Sequence, residues 1–83
     1  VALTRKKITK VLEKLERKNS ILEKEHFSES VYARFHGGVF MWVIRDDRDH
    51  EFDKMFHTFQ IEQAIDCIVE RVAITDEQLM LEI

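Results

Sequence analysis

Five acidic residues crowd one short stretch of the chain: Asp46, Asp47, Asp49, Glu51 and Asp53. Carboxylates at alternate positions can gather around a hard cation such as Ca2+ or Mg2+, which takes oxygen ligands. A calcium loop of the helix-loop-helix kind needs glycine at its sixth position and glutamate at its twelfth. Counted from Asp47, those positions hold Phe52 and Thr58, so the run reads as a solvated turn. His26, His36, His50 and His57, with the lone Cys67, form a second set of potential ligands. None stands at the close spacing of a transition-metal motif. No metal or cofactor is expected.

Nucleophilic chemistry has as little to work with. The candidates are Cys67 and the serines Ser20, Ser28 and Ser30. Cys67 falls on a predicted helix beside Asp66, and a neighbouring carboxylate raises a thiol pKa, the wrong direction for a nucleophile. The sequence has no Gly-x-Ser-x-Gly elbow, phosphate-cradling glycine loop or dinucleotide fingerprint. Eighty-three residues bury only roughly 60–65% of the surface the unfolded chain exposes, so a deep substrate pocket is hard to build. The expectation is a protein that is not an enzyme and takes no small-molecule substrate.

What remains is binding, and the elements decide where. Hydrophobic residues make up 45% of the chain and charged residues 35%, a balance that suits one folded domain over residues 1–83. A single cysteine makes no internal disulfide, which points to a reducing, cytoplasmic setting. No apolar run follows the charged start, and none approaches the ~18 residues of a membrane span. Charge is uneven: residues 1–18 carry seven bases against two acids, a net of +5, and the other 65 residues carry a net of −8. A basic helix attached to an acidic body could attract its opposite within a chain or between chains.

Ile8, Val11, Leu12, Leu15 and Leu22 recur at helical spacing and predict a basic amphipathic helix over 3–25, with Thr4 as its cap. Strands are expected over 29–57. Gly37-Gly38 suggests a two-residue type I′ hairpin turn, because both glycines accept positive φ. That register pairs His36 with Val39, Phe35 with Phe40 and Ala33 with Trp42. One side then collects Val31, Ala33, Phe35, Phe40, Trp42 and Ile44, an apolar face for the core. The other collects Tyr32, Arg34, His36, Val39, Met41 and Val43. A third strand at about 51–57 completes a meander; the helical alternative would leave one continuous helix apolar on two sides. A helix over 59–73 buries Ile61, Ala64, Ile65, Ile68, Val69 and Val72. Thr75 to Gln78 fits a capping box and starts a short final helix, with a strand through Leu79, Leu81 and Ile83 as the alternative. The fold class is α+β in the order α-β-β-β-α-α, helical over 59–83.

The second hairpin face is where partners would bind. Tyr32, Arg34 and Met41 are residue types enriched in interfaces, and Val43 extends the patch. If both helices cover the same side of the sheet, this face is open; if one helix lies on each side, nothing is free. The apolar tail residues Leu79, Met80 and Ile83 are the other contact candidates. The expected function is a small non-catalytic protein–protein interaction module, gripping another protein or forming a homodimer. The alternative is a nucleic-acid-binding accessory protein that uses Lys6, Lys7 and Lys10 on the first helix.

The Val31–Arg45 hairpin around Gly37-Gly38, the Phe52–Phe59 segment and a helix ending before Thr75-Asp76-Glu77-Gln78 together resemble small accessory proteins of temperate phages and other mobile elements. The resemblance covers the C-terminal two-thirds of the chain. It implies a small intracellular modulator that acts by binding a host or phage protein, and it assigns no functional residues.

Overall fold

The computed structural model describes the backbone over residues 3–81 and side chains over 3–73. Helix α1 (Arg5–Lys18) is followed by strands β1 (Lys24–His26), β2 (Val31–His36), β3 (Met41–Asp46) and β4 (Asp49–His57). A single 3-10 turn, Thr58–Gln60, then leads into helix α2 (Ile61–Leu81). The four strands form one antiparallel sheet in sequence order.

Thr4 caps α1 as expected, its hydroxyl accepting from the Lys7 N–H at 3.2 Å. The helix ends seven residues earlier than its periodicity suggests. Asn19 turns left-handed at φ 49° and its N–H closes onto the Leu15 carbonyl at 3.0 Å, an asparagine C-cap. The residues beyond it make an extra strand, β1, which pairs with β2 and gives the sheet four strands instead of three.

The hairpin loop is also longer than two residues. His36 pairs with Met41, Phe35 with Trp42 and Ala33 with Ile44, so Gly37, Gly38, Val39 and Phe40 all lie in the loop. Neither glycine has positive φ; Phe40 does, at 55°. Gly37 serves a different purpose: a Cβ there would stand 1.9 Å from Oδ1 of Asn19, the cap of α1. The slip relative to a type I′ turn is two residues, and an even slip keeps every paired side chain on its face. Val31, Ala33, Phe35, Trp42 and Ile44 therefore face the core as expected. Phe40 does not; it projects from the loop, 58% exposed.

Both helices pack on that one face. Ile8, Leu12 and Leu15 of α1 and Ala64, Ile65 and Ile68 of α2 share a single core with the inner strand residues. The tilted Phe35–Trp42 ring pair lies in this core, centroids 5.9 Å apart. The Trp42 indole N–H donates to the Leu12 carbonyl at 3.0 Å, tying sheet to helix through a buried bond. Across the helix pair, Arg5 reaches Asp66 and, at 3.0 Å, Glu62. The basic helix and the acidic body thus attract within the chain. Helix α2 runs unbroken through Thr75 to Leu81, with no glycine or proline over 61–81 to stop it, so no separate last helix or strand forms there.

Candidate functional site

Because α1 and α2 cover the same side, the opposite face of the sheet carries no layer among the described residues. Strand pairing sets its rows. Lys24 pairs with Arg34, Arg34 with Val43 and Val43 with Met55. The next row runs His26, Tyr32, Arg45, Asp53, and the last joins His36, Met41 and His57. Tyr32, Arg34, Met41 and Val43 are thus brought together on one open face.

Their exposures differ in a way the sequence did not reveal. Tyr32 is buried at 8% because its ring is covered by its neighbours. His26 lies 5.3 Å from it, centroid to centroid. The Lys24 ammonium sits 4.8 Å from the ring centroid and the Arg34 guanidinium carbon 5.9 Å, both within cation–π range. Tyr32 is the floor of the face, not a contact tip. The exposed apolar groups here are instead Met55 at 47%, Val39 and Phe40 in the hairpin loop and, in the middle of the 3-10 turn, Phe59 at 79%. Phe59 stacks on His57 with centroids 4.5 Å apart. The Thr58 N–H bonds the Phe40 carbonyl at 3.1 Å, which holds the hairpin tip against this corner. Sequence reasoning missed Met55 and His57 although they follow from strand parity once Met55 is set opposite Val43. It missed Lys24 and His26 because it extended the first helix over them.

The other candidates lie elsewhere. Lys6, Lys7 and Lys10 are exposed on α1, on the helical side away from the open face. Leu79 and Met80 belong to α2, but their side chains lie outside the described residues, as does Ile83 altogether.

Three of the five residues in the acidic run, Asp46, Asp49 and Asp53, are held in ion pairs. A register shift between Arg45 and Asp46 brings Asp46 opposite Asp49, and Arg71 of α2 reaches both, at 3.2 and 2.6 Å. Arg71 also lies over the Phe52 ring at 4.3 Å, while Asp53 faces Arg45 at 3.9 Å. Burial alone would push the Asp46 carboxyl up. The Arg48 backbone N–H at 2.9 Å, the nearby Ser30 hydroxyl and the Arg71 guanidinium outweigh it and hold the carboxyl below its ordinary value. Ser30 lies beside the carboxylate without forming a hydrogen bond of normal geometry. Among the described residues no three His, Cys, Asp or Glu side chains are arranged to hold a metal.

Cys67 is half-buried, and that burial pushes its thiol up, with Glu70 adding to the shift and Lys54 opposing it. The carboxylate that acts on the thiol is Glu70, one turn on, while Asp66 is engaged with Arg5. Two small cavities flank these clusters. One of about 150 Å3 lies between Tyr32, Arg45 and the Asp46–His50 turn, the other of about 220 Å3 between Lys54, Cys67 and Glu70. Both are smaller than the roughly 300–1,000 Å3 of small-molecule sites.

No helix among the described residues is long and apolar enough to cross a membrane. Comparison with known proteins finds no matching family model, curated protein or solved structure.

Proposed function

We propose that this protein is a small, non-catalytic protein-binding module whose contact surface is the open face of the sheet. The observation that carries the reading is the placement of both helices on one side. It leaves Arg34, Met41 and Met55, residue types enriched in interface cores, on one surface with Val43. A two-layer fold gains nothing from exposing Met55 and Phe59, and an uncovered apolar patch rimmed by polar groups marks an interaction surface. The occupant is another protein, a host or phage protein in the setting the sequence resemblance implies, or a second copy of the chain.

Met55→Asp combined with Phe59→Ser tests this. Both side chains are exposed, so the melting temperature stays within the change expected of about 0.5 kcal/mol for surface substitutions. Complex or dimer formation, followed by light scattering and by co-purification, is lost. Association unchanged in this variant rules the face out.

A second reading rests on α1. Lys6 and Lys7 stand in its first turn, where cations oppose the helix dipole, and Lys10 follows one turn on. Bases placed against helix stability suit a polyanion such as nucleic acid. Neutralising the three weakens retention on a nucleic-acid column and flattens its salt dependence if this reading holds.

A further inference from the structure

We infer that the paired cations Lys24 and Arg34 form an anion-recognition site for an acidic segment of a partner protein. The two stand directly opposite one another on β1 and β2. The bond from the Phe27 N–H to the Val31 carbonyl sets the alternation along the ladder. It makes Lys24–Arg34 a non-hydrogen-bonded pair, the kind with the closer approach, about 4.5 Å between Cα atoms. Like charges so opposed destabilise a sheet. On the same face Arg45 has Asp53, whereas Lys24 and Arg34 have no carboxylate partner among the described residues. This is so in a chain where sixteen acids outnumber thirteen Lys and Arg.

The pair is also held in place. Arg34 is half-buried, and its Nη1 donates to the Ile21 carbonyl at 3.2 Å. Both cationic groups rest over the buried Tyr32 ring. A guanidinium fixed on one edge presents its remaining N–H groups to a carboxylate in a set direction, and less entropy is lost on binding. Along the same row the surface turns apolar, with Val43 and the exposed Met55. A segment that sets acids over β1–β2 and apolar side chains over β3–β4 matches both halves. Single-stranded nucleic acid fits less well. It needs aromatic faces free for stacking, and the Tyr32 ring is already covered by His26, Lys24 and Arg34.

The inference rests on the open-face reading above, and the experiment separates the two. The full chain is titrated, near physiological salt, into three labelled probes: a short amphipathic peptide of Glu and Leu, its counterpart with Lys for Glu, and oligothymidine. Fluorescence anisotropy is the readout. The glutamate peptide binds and the lysine peptide does not. Lys24→Ala with Arg34→Gln weakens that binding on the order of tenfold, as two lost charge contacts would, with the circular dichroism spectrum unchanged. Met55→Asp weakens it as well. If the Lys24/Arg34 variant binds like wild type while Met55→Asp does not, the face stands and the anion site falls. If neither variant alters binding, or no probe binds, both readings fall for this ligand class. Tighter binding of oligothymidine, lost in the Lys24/Arg34 variant, overturns the assignment to a protein partner.

Discussion

Asp46 is the one charged residue among those described that is fully buried, and its environment determines how it responds to pH. Its carboxyl is held below the ordinary value, so the folded state releases this proton more readily than the unfolded chain. The resulting stability is present above the ordinary carboxylate range and is lost as pH falls through about 4 and below. Asp46→Asn keeps the shape but removes the charge that faces Arg71. It should cost about 2–3 kcal/mol in urea denaturation at neutral pH, and the gap to wild type should narrow toward pH 3. A gap that holds constant with pH would mean that the ion pair contributes nothing. Phe40 poses the opposite case. A bulky residue at φ 55° pays a backbone cost, and its ring is exposed. Phe40→Gly should therefore raise stability by about 1 kcal/mol while weakening whatever the open-face corner binds. Thermal unfolding beside a binding titration reads both effects.

At the level of elements, β4 is a long edge strand with few ways to pair. The Thr58–Phe40 bond fixes the alternation, so Asp53, Met55 and His57 turn their N–H groups outward. The His57 N–H is already taken by Gln60 Oε1 at 3.0 Å, and the Glu51 N–H by Asp49 Oδ1 at 3.1 Å. Self-pairing of two copies about Asp53 would oppose carboxylates, and about Lys54 it would oppose ammoniums. Pairing about Met55 would require His57 to give up Gln60. These are the devices that keep an edge unpaired. Lys54→Val removes one of them and should produce concentration-dependent association in sedimentation beyond any that the wild type shows. This strand was legible in the sequence because a helix there would have been apolar on two sides. The core face was legible too, since an even slip in register preserves it. The loop length was not: a glycine pair invites a type I′ turn, yet Gly37 instead gives room to the Asn19 side chain, a tertiary contact. Nor was β1, because Lys24, Glu25 and His26 show no apolar alternation and Leu22 continues the helical period. Half of the candidate face was readable from one hairpin, and the rest waited on knowing which strands lie beside it.

For the whole molecule, one core shared by two helices and a sheet means that no part folds alone. The only tryptophan, Trp42, sits in that core and bonds the backbone of α1. Its fluorescence and the far-ultraviolet circular dichroism should therefore follow one coincident transition. Trp42→Phe, which loses the bond and leaves the Leu12 carbonyl one partner short, should cost about 1–3 kcal/mol in denaturant. Two separated transitions would mean that α1 docks independently. One-sided packing has a further consequence. The odd residues of β2 serve the core while its even ones, Tyr32, Arg34 and His36, lie on the open face, so the molecule keeps two nearly separate texts on the same strands. On the reading proposed above, substitutions at the exposed positions of that outer text change what is gripped while the core that holds the fold is left in place, so that a partner is exchanged by substitution alone.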